Sequence, residues 1–138
     1  MTKQKALAMI KKVEKMLEIL CPSLRETISF CVIDDHNGTH GSSSYCKPLK
    51  TYKASWIYIN LQNIECFDDA LDSISHELCH ALAIHYEHYI DVVNSLLPKN
   101  SIDAMNVLGH QTAESFVMIA QPFVLFWLKS FLTEKAKH

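Results

Sequence analysis

The chain has 138 residues, of which 49% are hydrophobic and 20% are charged, a balance typical of one globular domain and not of a disordered chain. Its formal net charge of −2 is not typical of a nucleic-acid-binding domain, which normally carries a basic patch. We therefore expect a single domain, residues 1–138, with no nucleic-acid partner.

The cysteines and the N-terminal residues indicate in which cellular compartment the protein is expected. Five cysteines, an odd number without a CxxC pair, are scattered along the chain. This pattern predicts free thiols in a reducing environment and not a disulfide framework. The N-terminal residues contain neither an uninterrupted apolar stretch nor a small-residue cleavage site, so no signal peptide is expected. We expect a cytoplasmic protein, or one of the host cytoplasm if a phage encodes it.

The first half of the chain predicts one helix followed by three short strands. Apolar residues recur every three or four positions across residues 3–20, the pattern of an amphipathic helix, and Pro22 lies just beyond its end. Residues 27–33 and 55–61 are rich in β-branched and aromatic side chains and predict strands. Residues 45–52 offer a third strand.

The second half of the chain predicts helices. One begins near the acidic residues Asp68 and Asp69 and continues to about Leu97, where Pro98 stops it. Another begins with Ser101 as its cap, and Pro122 is expected to kink or divide it. The order of elements predicts an α+β domain with an N-terminal helix, a small, mostly antiparallel sheet of about three strands, and C-terminal helices.

Residues 116–132 form the most apolar segment. Gln121, Pro122 and Lys129 interrupt it, and it is shorter than the roughly 20 apolar residues that cross a membrane. We therefore expect a buried helix and no membrane partner. The alternative is an interaction protein that uses this helix as a dimer face without any metal, and a homo-oligomer remains open in either case.

His76-Glu77-Leu78-Cys79-His80 is an HExxH motif inside the first of these predicted helices. At 100° per residue His76 and His80 lie about 40° apart and one turn apart, so both imidazoles can reach one metal ion. Glu77 lies about 60° to the side of His80, where it can hold a water as a general base. The number of such motifs expected by chance in one chain of this composition is roughly 0.03. The motif predicts a metal-dependent hydrolase.

A catalytic zinc ion normally has three protein ligands, so a third one is required. The extended motif HExxHxxGxxH is excluded, because Ala83 and Tyr86 occupy its glycine and third histidine. The next helix offers His110 and Glu114, which are four residues apart and share one face. Helical periodicity does not choose between them, and the residue that does not bind zinc is placed to support its neighbour or to contact the substrate.

The HELCHAL helix after short strands, with a glutamate on a later helix, resembles the minimal, glutamate-liganded zincin metallopeptidases of phages and bacteria. In that group an HExLHAL-like core precedes a segment similar to HQTAESFVMIA, residues 110–120. The resemblance covers residues 55–120 and implies a zincin-like fold, one Zn²⁺ ion, and Glu114 as third ligand. The SprT-like family is similar in its HExCHA core, but its histidine ligand lies in an HGxxF segment. Here no glycine follows His110, and Phe116 is one residue late.

In zincins the strand before the active helix lies along the cleft and binds extended peptide by strand addition, which implies substrate contacts at Trp56 and Tyr58. The expected function is a zinc-dependent metallopeptidase that cleaves a peptide or protein substrate with Glu77 as general base. The alternative is a catalytically inactive, zinc-stabilised binding or regulatory module with the same fold.

Overall fold

The computed structural model describes residues 1–36, 41, 43–49 and 54–134, without the side chains of residues 85–94, 100, 102, 104–105, 110 and 133–134. Its helices and strands are α1 (Lys3–Leu20), α2 (Pro22–Thr27), β1 (Ile28–Ile33), β2 (Tyr45–Leu49), β3 (Ala54–Asn60), α3 (Phe67–Leu96) and α4 (Lys99–Glu134). The predicted α+β class is confirmed, because helices and a small sheet share one hydrophobic core.

Helix α1 forms over the residues that its apolar pattern predicted. The hydroxyl oxygen of Thr2 caps it by accepting a hydrogen bond from the backbone N–H of Lys5, at 3.3 Å. Its apolar face is buried, with Val13 fully inaccessible to solvent. The helix ends at Leu20, and Pro22 begins α2, where the missing N–H of proline costs no helical hydrogen bond.

The sheet has three strands in the order β1-β3-β2. Strand β3 pairs with β1 in parallel and with β2 in antiparallel orientation. The prediction of a mostly antiparallel sheet is therefore wrong, since one of the two pairings is parallel. Strand β2 lies between the other two in sequence but at the edge in space, so β3 returns beside β1 in the same direction.

One face of the sheet packs on helices and the other faces away from them. Ile57 and Ile59 of β3 are buried in the core that α1 and α3 also supply. Successive side chains of a strand point to opposite faces, so Trp56 and Tyr58 lie on the other face. There the ring of Tyr58 stacks on Tyr45 with centroids 4.6 Å apart. Helix α3 therefore packs against the face of β3 that carries its isoleucine side chains.

Helices α3 and α4 form an antiparallel pair. Helix α3 ends at Leu96, before Pro98, as predicted. Helix α4 begins at Lys99, two residues before the predicted cap Ser101, and continues through Pro122 without dividing. Pro122 is exposed, so water can satisfy the helical carbonyl that its missing N–H leaves unpaired. An ion pair between Asp68 and Lys129, at 3.5 Å, joins the start of α3 to the end of α4.

The apolar segment of α4 is only partly buried. Val117, Val124 and Leu128 pack into the core, but 17% of the most apolar window within 106–132 is buried. The prediction of a buried helix is thus correct for one face only. By length and composition this stretch could cross a membrane, a test that core helices of soluble proteins also pass.

Candidate metal centre

The structure brings His76 and His80 together on α3. Their Nε2 atoms lie 3.2 Å apart, and their rings meet edge to face. Two nitrogen ligands at the usual zinc distance, around a tetrahedral ion, are separated by about 3.3 Å. The spacing of the two imidazoles is compatible with a shared zinc ion, and their place on one helix face agrees with the periodicity of the motif.

Gln121 of α4 fixes the orientation of the His76 ring. The Nδ1 atom of His76 lies 3.1 Å from Oε1 of Gln121, and Nε2 of Gln121 donates a hydrogen bond to the Asp72 carboxylate at 3.0 Å. Because the amide nitrogen faces Asp72, the amide oxygen accepts a hydrogen bond from the Nδ1–H group of His76. This tautomer leaves the lone pair of Nε2 available to a metal ion.

Glu77 is a buried acid beside the two histidines. It is 6% exposed, and burial raises the pKa of its carboxyl group to about 7. The nearby His76 and a hydrogen bond from the backbone N–H of Cys46 lower this pKa, and the charge of Glu114 raises it. A carboxyl group with a pKa near neutrality exchanges protons readily at physiological pH.

A polar cleft of about 260 Å³ opens beside His76 and Glu77, and Ser43, Ser44, Asn63, Asp72 and Ser73 complete its lining. Asn60, at the end of β3, holds one wall in place. Its backbone N–H donates a hydrogen bond to the Ser44 hydroxyl at 3.0 Å, and its side-chain amide donates one to the backbone oxygen of Asp35 at 2.8 Å. The cleft thus has a fixed polar wall opposite α3.

The two candidates for a third ligand, His110 and Glu114, lie on α4 closer to its N-terminus than Gln121. Contacts of Gln121 with His76 and of Lys129 with Asp68 set the antiparallel register. This register carries Glu114 roughly one turn beyond His80. Glu114 is half-buried and close enough for its charge to act on Glu77. Among the described residues no group of three His, Cys, Asp or Glu side chains is close enough to hold a metal ion, and the side chain of His110 lies outside the described part.

The predicted substrate residues Trp56 and Tyr58 do not line the described site. They lie on the sheet face turned away from α3, and β3 is hydrogen-bonded on both sides as the central strand. A central strand has no free edge for an added peptide, so β3 does not offer the edge that the expected strand addition requires, and substrate contacts of Trp56 and Tyr58 stay a prediction. The edge strand next to the site is β2, whose Cys46 contacts Glu77.

Cys79, inside the motif, is a packing residue. Its side chain is fully buried, and burial together with the charge of Glu77 raises the pKa of its thiol to about 11. A thiol with this pKa is not a nucleophile at neutral pH, because only the thiolate reacts.

Sequence reasoning missed the supporting roles of Gln121, Cys46 and Asn60. Gln121 carried a signal, since it is the one amide side chain in the uncharged run 115–128 of α4. A half-buried amide in an apolar helix normally has a specific hydrogen-bond partner. Cys46 acts through its backbone N–H, which every residue except proline has, so the amino-acid sequence carries no signal for this role.

Comparison of the chain with models of protein families, with curated proteins and with solved structures finds no match to any of them. The class of the protein therefore has to be inferred from the geometry and chemistry of its own residues.

Proposed function

We propose that this chain is a zinc-dependent metallopeptidase with a zincin-like fold. The observation that carries the proposal is the 3.2 Å separation of the His76 and His80 Nε2 atoms, with the buried acid Glu77 beside them. Two imidazoles with one carboxylate ligand, for which Glu114 is the candidate, are a common ligand set of catalytic zinc. The α+β order, in which the motif helix packs on a small sheet, is compatible with this class.

His76, His80 and Glu114 would hold the zinc ion, which requires the Glu114 side chain to move toward the two histidines, since no such group of three is assembled among the described residues. Within the described part of α4, Glu114 is the acidic side chain whose register lies nearest to the two histidines. A zinc ion held there would supply a Lewis acid, which polarises the carbonyl of a peptide bond and lowers the pKa of water. The hydrogen bond from His76 to Gln121 keeps one imidazole ready to bind, without a change of tautomer.

Glu77 would move the proton. With its pKa at about 7, part of the population is ionised at neutral pH and can accept a proton from a water molecule in the cleft. The protonated carboxyl group can then donate that proton to the amine that leaves. The backbone N–H of Cys46 restrains the Glu77 carboxylate during both transfers.

An extended peptide would bind along β2. Among the described strands β2 pairs with β3 on one side only, and it borders the site through Cys46. Strand addition to an exposed sheet edge supplies backbone hydrogen bonds to a peptide of any sequence. Pro48 has no N–H and the N–H of Cys46 donates to Glu77, so at these two positions β2 would offer only its carbonyl oxygens to a peptide.

Elemental analysis tests the metal site directly. We expect one zinc ion per wild-type chain purified without chelator, and its loss in the His80→Ala variant. His36→Ala is the matched control, because His36 is an exposed histidine outside the site. Wild-type protein that binds no zinc, even after incubation with it, would refute the proposal.

A further inference from the structure

Helix α4 carries a second apolar face that nothing in the described fold covers. We define the outer stripe as the exposed side chains Leu108, Phe116, Ile119, Phe123, Phe126 and Trp127. At 100° per residue all six lie within a sector of about 100°. The opposite side of the same helix, with Ala113, Val117 and Leu128, is buried in the core. Helix α4 is therefore apolar on both of its faces.

The outer stripe is too large for an ordinary monomer surface. Ile119, Phe123 and Phe126 are each at least 64% exposed. The six side chains together expose on the order of 800 Å² of apolar surface, while the largest patch of a typical monomer is about 300–600 Å². A standard protein–protein interface buries about 800 Å² per partner. The outer stripe alone thus supplies the area that one side of a stable dimer needs.

The side chains of the outer stripe are spaced in a way that suits packing against another helix. Its positions Phe116, Ile119, Phe123 and Phe126 follow one another at intervals of three, four and three residues. This alternation places side chains along one seam, where they pack between those of a second helix at a shallow crossing angle. A lipid surface needs apolar area but no such register.

The charges near the outer stripe do not favour a membrane surface. Helix α4 contains two cationic residues, Lys99 and Lys129, near its opposite ends, and Lys129 is paired with Asp68. Amphipathic helices that bind anionic lipid carry clusters of lysine or arginine. The other face of α4 is hydrogen-bonded into the fold through Gln121, so the helix is held against α3.

We propose that a second copy of this chain covers the outer stripe, so that two α4 helices pack against each other across a twofold axis. Such a contact is self-complementary, because each copy presents the same surface. Trp127 joins the outer stripe to an apolar groove between α4 and the end of α1, lined also by Leu20 and Leu82. The groove offers further space for side chains of the second copy.

The proposal is independent of the metal site and is tested by the mass of the full chain in solution. Sedimentation equilibrium should give twice the 15.8 kDa of one chain for wild type, and 15.8 kDa for Ile119→Glu and Phe126→Lys. Ile19→Glu is the matched control, because Ile19 is 61% exposed on α1 and should leave the dimer intact. Far-UV circular dichroism should show the same helix content in all four proteins, since the three residues are exposed.

Two results would overturn the proposal. One is wild-type protein that is monomeric at every concentration, including the case of a monomer that floats with phosphatidylglycerol vesicles, which would assign the outer stripe to lipid. The other is a dimer that survives both Ile119→Glu and Phe126→Lys, which would place the interface elsewhere.

Discussion

Gln121 accepts a hydrogen bond from the His76 ring across the interface of α3 and α4, with Nδ1 and Oε1 at 3.1 Å. The two residues are 45 positions apart in sequence. One residue of the apolar helix α4 therefore determines which nitrogen of a candidate metal ligand carries the proton. The same amide is anchored by Asp72, so the ring, the amide and the carboxylate form one chain of hydrogen bonds.

Replacement of Gln121 by alanine should weaken zinc binding. Residues that orient a metal ligand typically contribute about 10- to 100-fold to metal affinity. We expect a loss in this range for Gln121→Ala, measured by competition with a chromophoric chelator. Gln111→Ala is the control, because Gln111 is an exposed glutamine of the same helix, and it should bind zinc as wild type does. Equal affinities of the two variants would contradict the orienting role.

The third ligand can be identified with three variants of α4. Glu114→Ala should lower zinc affinity by more than about 100-fold, beyond the effect of a residue that only orients a ligand. His110→Ala should have a smaller effect, and Asp103→Ala, at an exposed acid, should have none. A larger loss in His110→Ala than in Glu114→Ala would reassign the ligand.

The metal-free protein should lose stability as the pH rises from about 5 to 7. The Glu77 carboxyl group has a pKa of about 7 in the fold, raised from 4.5 by burial. Between these values the unfolded chain has released the proton while the folded chain retains it, so rising pH favours unfolding. The free energy of unfolding should fall by up to about 3 kcal/mol across this range and then level off with respect to this group.

The measurement is urea unfolding of wild type and Glu77→Gln in chelator at a series of pH values. The glutamine variant has no proton to release there, so the difference between the two proteins isolates Glu77. Parallel pH dependence of the two proteins would show that Glu77 titrates normally in the fold.

The sequence predicted those features that depend on local periodicity. Helix α1 begins and ends where its apolar pattern does, and α3 stops before Pro98. His76 and His80 lie on one face because a spacing of four residues is about one helical turn. Strand positions were correct within one residue at β1 and β3.

Features that depend on tertiary pairing were not predictable in the same way. The place of β3 at the centre of the sheet depends on how β2 folds back, and this leaves β3 without a free edge. The face on which Trp56 and Tyr58 lie depends on which side of the sheet the helices cover. The contact of Gln121 with His76 depends on the register of α3 against α4. Pro122 was expected to kink or divide α4, but the helix continues because packing of its inner face outweighs one lost hydrogen bond.

The most direct test of zinc-dependent peptide hydrolysis compares wild type with Glu77→Gln on an unfolded, fluorescently labelled protein substrate, after zinc content has been determined on the same samples. Wild type should cleave the substrate and lose this activity in chelator. Glu77→Gln should keep one zinc ion and lose activity by at least about 100-fold, because the proton acceptor is gone. Glu26→Gln, at an exposed glutamate, should behave as wild type. Equal cleavage by wild type and Glu77→Gln, or zinc-loaded wild type that cleaves no peptide bond, would contradict the proposed function.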